Sequence, residues 1–294
     1  MKYVYQLISV IALFFAFMVS VNADKVDRDW ENRVSERLAE KVDGSEVLWL
    51  NSGSDEFLAL YTPQTNEVAH GAAIILHAMG GHAEWPRTVS PLRTQLPLHG
   101  WTTLSVQMPV IAPENQLEDY GATLQQAADR IEAAVKALRE RKFLNIVVVA
   151  HSFGAATTLA YLEKQQKQKV VALVAIGLHD YAFVKPPLDI LKLIEKSKIP
   201  VLDIYGSRDF KKVIDQAPDR RLAAKKGNNR QYAQYEIEGA DHYFNKSEEV
   251  LIKRIRGWLD KAAPGVSIMV DEEFDGNLED IDDVAADEND PVER

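Results

Sequence analysis

Four short apolar runs, Ala72–Leu76, Thr102–Val106, Ile146–Ala150 and Val170–Ile176, do most to limit what this chain can fold into. A strand with one wet face alternates apolar and polar residues. Runs this continuous suit strands buried on both faces, as in a parallel sheet covered by helices. Ile199–Tyr205 and Tyr232–Ile237 extend the series with more mixed faces. Between the runs lie helical patterns, clearest in Leu124, Ala128, Ile131, Val135 and Leu138, and again in Leu251, Ile255, Trp258 and Leu259. Strands alternating with amphipathic helices predict an α/β domain: a mostly parallel sheet, helices on both faces and right-handed crossovers. Glu46–Leu50 and Phe57–Tyr61, separated by the turn cluster Asn51-Ser52-Gly53-Ser54, read as an antiparallel hairpin at the sheet edge.

The two ends of the chain read differently from this body. Lys2 precedes an apolar run from Val4 to Val21 that closes on Val21-Asn22-Ala23 before the polar Asp24. That is the pattern of a secretory signal peptide over residues 1–23. The alternative is an uncleaved anchor, since about 18 mostly apolar residues can just span a bilayer; stable membrane attachment is expected only in that case. Residues 24–44 follow as an N-terminal helix, because Val26, Trp30, Val34, Leu38 and Val42 recur every four residues and form an apolar stripe. The α/β domain is expected over 45–263, with Pro264-Gly265 ending its last helix.

Charge and cysteine usage remove several function classes. Met1–Val270 carries 33 basic and 32 acidic residues, whereas Asp271–Arg294 carries 1 and 12. The net charge of −10 is therefore a property of the tail, and the nearly neutral body has no basic footprint for nucleic acid. The tail, 264–294, holds too few apolar groups for its charge and is expected to be disordered. Asp271, Glu273, Asp275, Gly276 and Asp282 fit a calcium-binding loop only in part, since Glu273 and Asp282 depart from its preferred residues and no clean flanking helices appear. The chain has no cysteine, which excludes disulfides, thiol catalysis and thiolate metal sites.

The residues that carry chemistry begin at the end of the third apolar run. Ile146-Val147-Val148-Val149-Ala150 leads directly into His151-Ser152-Phe153-Gly154 and then the helical stretch Ala155–Ala160. A strand, a sharp turn and a helix lift the Ser152 hydroxyl clear of the backbone at a helix N-terminus, where the Phe153 amide can face an oxyanion. The residues two before and two after the serine must be small, and Ala150 and Gly154 are. A serine after a strand can also be merely buried or capping.

Ala150-His151-Ser152-Phe153-Gly154 resembles the G-x-S-x-G elbow of the α/β-hydrolase superfamily, with alanine in place of the first glycine. The resemblance implies an acid and a histidine later in the chain, in the order serine, aspartate, histidine. Ile199–Tyr205 ends at Gly206-Ser207-Arg208-Asp209, which offers Asp209 as the acid, with Asp180 and Asp241 as rivals and Asp203 inside a strand, pointing at a sheet face. Tyr235–Glu238 ends at Gly239-Ala240-Asp241-His242-Tyr243-Phe244, similar to the superfamily's histidine loop, which offers His242 as general base. His77-Ala78-Met79-Gly80-Gly81-His82 resembles the oxyanion loop, Ala78 standing where the superfamily has glycine, with Met79 as second amide donor beside Phe153. The wider stretch through Trp85-Pro86, Leu92-Arg93 and His99–Ser105 is similar to a family of secreted bacterial α/β-hydrolase-like proteins of unassigned function, over roughly Glu46–Ala263. That resemblance makes the bacterial periplasm the expected compartment.

The expected reaction is acyl transfer to water from an ester or thioester, carboxylic ester first, on a small or surface-bound substrate. No cofactor is required. His77, His82, His151, His179 and His242 fall near strand ends, yet their spacing forms no metal-ligand motif, and no metal is expected. Leu178–Leu188 leaves little room for a lid, so an open site is expected, with Pro113–Gly121 able to cover part of it. The competing reading, prompted by Ala78 and Ala150, is an envelope binding protein that keeps the fold and has lost turnover.

Overall fold

The computed structural model describes residues 25–265 apart from 166 and 168. The expected leader, the acidic tail beyond Gly265 and the calcium-loop-like positions lie outside the described residues. Among the described residues, eight strands form one sheet: β1 (Glu46–Ser52), β2 (Asp55–Thr62), β3 (Gly71–Leu76), β4 (Trp101–Val106), β5 (Ile146–His151), β6 (Ala172–Ile176), β7 (Val201–Arg208) and β8 (Tyr232–Asp241). Their order is β1-β2-β4-β3-β5-β6-β7-β8. The β1–β2 hairpin and the β2–β4 pair are antiparallel, and the remaining pairs are parallel. The helices are α1 (Arg28–Lys41), α2 (Val89–Gln95), α3 (Leu124–Glu140), α4 (Phe153–Lys164), α5 (Ile190–Lys196), α6 (Lys211–Asp215), α7 (Ala217–Lys226) and α8 (Glu248–Ala262).

The central strands are buried on both sides, and their residues divide by the strand period of two. Ala72, Ile74, Leu76, Val148 and Ala150 meet Ile131 and Val135 of α3 and Leu159 of α4 on one face. Ala73, Ile75, Val147 and Val149 meet Leu92 of α2 and Leu251, Ile255 and Leu259 of α8 on the other. Each such Val, Leu or Ile contributes about 1.5–3 kcal/mol by leaving water, which explains why the runs are uninterrupted.

Some boundaries differ from the sequence expectation for local reasons. Val170 is fully buried but precedes β6, which starts at Ala172. Ile199 and Pro200 likewise precede β7, because Pro200 has no N–H for the ladder. β7 and β8 run further than expected, to Arg208 and Asp241, and deliver the chain to Asp209 and His242.

The order also creates a switch point. From β3 the chain moves outward to β4, then returns to β5 on the other side of β3. The loops leaving β3 and β5 therefore diverge at the carboxyl edge, where open α/β sheets bind ligands.

The N-terminal helix is tied in by more than its stripe. Asp27 caps α1 by accepting from Trp30 N at 2.8 Å, and Leu38 and Val42 pack on Leu58, Leu60 and Ala83. Its buried Glu31 pairs at 2.7 Å with Arg130 of α3, which is fully buried. Arg130 also holds Asp55 at 2.9 Å and donates to the Gln107 carbonyl at 2.8 Å. Among the described residues, no helix is long and apolar enough to cross a membrane.

Candidate active site

β5 passes into α4 through Ser152, whose backbone has φ +56° and ψ −115°. A non-glycine residue is costly there and persists only where its surroundings hold it. Here the Ser152 N–H donates to the Ile176 carbonyl at 2.7 Å. Gly154 is required by proximity, since a Cβ at that position would lie 2.7 Å from the His77 carbonyl oxygen. The elbow and the loop after β3 thus pack against each other.

Asp209 follows β7, and its Oδ1 accepts from His242 Nδ1 at 2.6 Å and from the Phe210 amide at 2.6 Å. Its Oδ2 is buried, with no hydrogen-bond partner among the described residues. Because Nδ1 donates to the carboxylate, Nε2 of the neutral ring is the acceptor, and it lies 3.2 Å from Ser152 Oγ. The structure therefore brings Ser152, His242 and Asp209 together, at 6, 4 and 7 % exposure. Phe210 lies flat on the His242 ring, with centroids 4.0 Å apart, and fixes its plane.

The rival carboxylates do other work. Asp180 accepts from the Ala182 amide at 3.1 Å in its own turn. Asp241 shapes the histidine loop, accepting from the amides of Tyr243 and Asn245 at 3.0 and 3.1 Å. Asp203 is buried against Arg220 at 2.7 Å and also accepts from Tyr232.

Two further histidines are scaffold. His77 donates from Nδ1 to the Ala78 carbonyl at 2.7 Å and accepts from Met108 N on Nε2 at 2.9 Å. His151 donates from Nε2 to the His242 carbonyl at 2.9 Å. Burial pushes each imidazole down to about 3, with neighbouring histidines adding to the effect, so both stay neutral. Among the described residues, no group of three or more His, Asp or Glu is arranged to hold a metal ion.

The backbone amides of Met79 and Phe153 donate no hydrogen bond among the described residues. The next amide, Gly80, is taken by the Tyr120 hydroxyl at 2.8 Å. Tyr120 also rests edge-on against Phe153, at 5.4 Å between centroids, so the Pro113–Gly121 segment does cover part of the site. The expectation of an open site is corrected by Leu178–Leu188: this loop, short as it is, carries the Tyr181 hydroxyl to 2.8 Å from Ser152 Oγ.

Gly177, with φ +61°, is a second residue the sequence reading missed; a Cβ there would stand 2.9 Å from His242 Cε1. The available signal was its place directly after a predicted strand. Nothing in the aperiodic loop after it marks Tyr181.

This sheet, with a serine elbow, an aspartate and a histidine at the ends of β5, β7 and β8, defines a protein of the α/β-hydrolase fold. Solved structures agree. Est1E from Butyrivibrio proteoclasticus superposes with a TM-score of 0.59 at 16 % identity, over 72 % of this chain and 97 % of that one. The Pyrococcus furiosus esterase Pf2001 gives 0.61 at 16 %, over 74 and 93 %. XC6422 from Xanthomonas campestris, described as an α/β serine hydrolase without a lid, gives 0.57 at 16 %, over 77 and 98 %. Within that fold, the chain belongs to the family described as "Protein of unknown function (DUF3530)", whose model matches residues 26–123 and 111–261. No curated protein sequence matches the chain.

Proposed function

We propose that this protein is a serine hydrolase that transfers an acyl group from a carboxylic ester to water, with a thioester as the next candidate. Ser152 is the nucleophile, His242 the general base and Asp209 the residue that orients and electrostatically supports the imidazole. The amides of Phe153 and Met79 hold the oxyanion. The observation that carries this reading is the continuous hydrogen-bonded chain from Asp209 Oδ1 through both His242 nitrogens to Ser152 Oγ, on a serine held in a strained turn. The fold neighbours described as an esterase and as an α/β serine hydrolase support the reaction class.

Incubation with a fluorophosphonate should modify Ser152, located by peptide mass spectrometry, and the folded Ser152→Ala protein should remain unlabelled. A folded wild type that neither labels nor hydrolyses p-nitrophenyl acetate, yet captures a partner equally well with Ser152→Ala, is the outcome for the binding-protein reading. The leader read over 1–23 makes the periplasm part of the proposal, and a mature N-terminus at Asp24 is the corresponding result of N-terminal sequencing.

A further inference from the structure

Tyr181 stands outside the roles given above, yet its contact to Ser152 Oγ, 2.8 Å, is shorter than that of His242, 3.2 Å. The side chain is 1 % exposed and is enclosed by Phe153 and His179, at 5.1 and 4.2 Å between ring centroids. Its place is set by the chain as well as by the hydroxyl. Val184 N and Leu188 N both donate to the Tyr181 carbonyl, at 3.2 and 3.3 Å, and Lys185 N donates to the Glu118 carbonyl at 2.7 Å. Before the ring, Asp180 N donates to Gln216 Oε1 at 2.8 Å, so the loop is pinned on both sides of it.

The proton positions along this chain are determined in sequence. Asp209 accepts, so His242 donates from Nδ1 and must accept on Nε2. Ser152 therefore gives its own hydrogen to His242, and its oxygen can only accept from Tyr181. We infer that Tyr181 is a further catalytic residue, a hydrogen-bond donor to Ser152 Oγ that stabilises the negative charge this oxygen gains when it attacks and when it leaves. Burial raises the Tyr181 hydroxyl above its ordinary value, so it stays a donor across the working pH range.

The inference rests on the hydrolase reading and assigns each proton. In acylation the Ser152 proton passes to His242 Nε2 while an Oγ electron pair bonds the carbonyl carbon and the C=O pair moves onto the oxyanion. Collapse re-forms the carbonyl and expels the alcohol, which takes the proton from His242. Water then attacks the acyl carbon, giving a proton to His242. The C–Oγ bond breaks, and His242 returns that proton to Oγ. Tyr181 keeps its own proton throughout. Its bond gains charge-assisted character each time Oγ takes on negative charge in the transition state, and charge-assisted bonds are roughly twice as strong as neutral ones. That difference corresponds to a rate effect of about tenfold.

A hydroxyl that merely stoppers the acyl position has the opposite sign. The test compares wild type, Ser152→Ala and Tyr181→Phe in fluorophosphonate labelling rate and in kcat and KM on p-nitrophenyl acetate, with thermal melts alongside. Tyr181→Phe should label and turn over about tenfold more slowly with KM within about twofold. Labelling or kcat equal to or above wild type overturns the inference while leaving the hydrolase reading intact. A folded wild type that reacts with neither reagent removes both. Should Tyr181→Phe fail to fold, 3-fluorotyrosine installed at position 181 alone keeps the ring and sharpens the donor. A higher kcat supports the assignment, and an unchanged or lower one overturns it.

Discussion

Replacing Gly177 by alanine separates a geometric cost at His242 from a backbone cost. Gly177 has φ +61°, and its N–H is fixed to the Ile204 carbonyl at 2.8 Å. An L-residue in that region costs roughly 1–2 kcal/mol. The added Cβ would also lie 2.9 Å from His242 Cε1 and 3.0 Å from Nδ1, where non-bonded atoms ordinarily sit about 3.5–4.0 Å apart. The ring must therefore yield by about 0.5 Å or more. Its bond to Ser152 is already 3.2 Å, at the long end of the N···O range, so a shift of that size breaks it. Misplacement by about 1 Å can cost on the order of 100-fold, which makes a loss of 10- to 100-fold in kcat a reasonable scale here. Gly53→Ala is the control: φ is +65° and nothing lies within 4 Å of the new Cβ. Urea unfolding should show a similar small destabilisation in both variants. Turnover of p-nitrophenyl acetate should fall only in Gly177→Ala. Equal activity in the two, whether both normal or both low, would refute this account of the clash.

Asp209→Asn should lower kcat by about 10⁴-fold with little change in KM, because the amide can donate to Nδ1 and leave the proton on Nε2, where it blocks acceptance from Ser152; steady-state kinetics within tenfold of wild type count against the role. Arg130→Met removes the buried cation shared by Glu31 and the half-buried Asp55 and leaves the part-exposed Arg28 beside both, and urea unfolding should show a loss of about 3 kcal/mol; a loss below about 1 kcal/mol contradicts it. His77 is held at about 3 in the folded chain against an ordinary 6.5. Protons therefore favour the unfolded state, and its contribution, complete above about 6.5, is lost as pH falls toward 3. The urea midpoint of His77→Gln should fall less steeply than that of wild type between pH 7 and 5.

The sequence made the site legible where chemistry sits on regular structure. Ser152, Asp209 and His242 each follow a run readable as a strand, apolar before Ser152 and more mixed before the other two, so their shared edge followed from the parallel sheet. Tyr181 was hidden because it lies in a loop without periodicity, and its partner depends on how that loop folds back between Glu118 and Leu188. Length left little room for a lid in this loop, but one long side chain reaches where backbone does not. Glu31 was hidden for another reason. The stripe through Val34 and Leu38 accounted for α1, and nothing in its pattern marked a carboxylate on the neighbouring face as buried against Arg130.

That buried cation also defines a load path. Asp27 N donates to the Val110 carbonyl and Val110 N donates to Glu31, each at 2.8 Å. Arg130 grips the Gln107 carbonyl, and Met108 N is held by His77. A pull on residue 25 therefore passes through α1 into the 107–110 segment and reaches His77, at the root of the loop that presents Met79. If the chain is tethered through its first residues, drag on the anchor and alignment of the proposed oxyanion donor share one mechanical linkage.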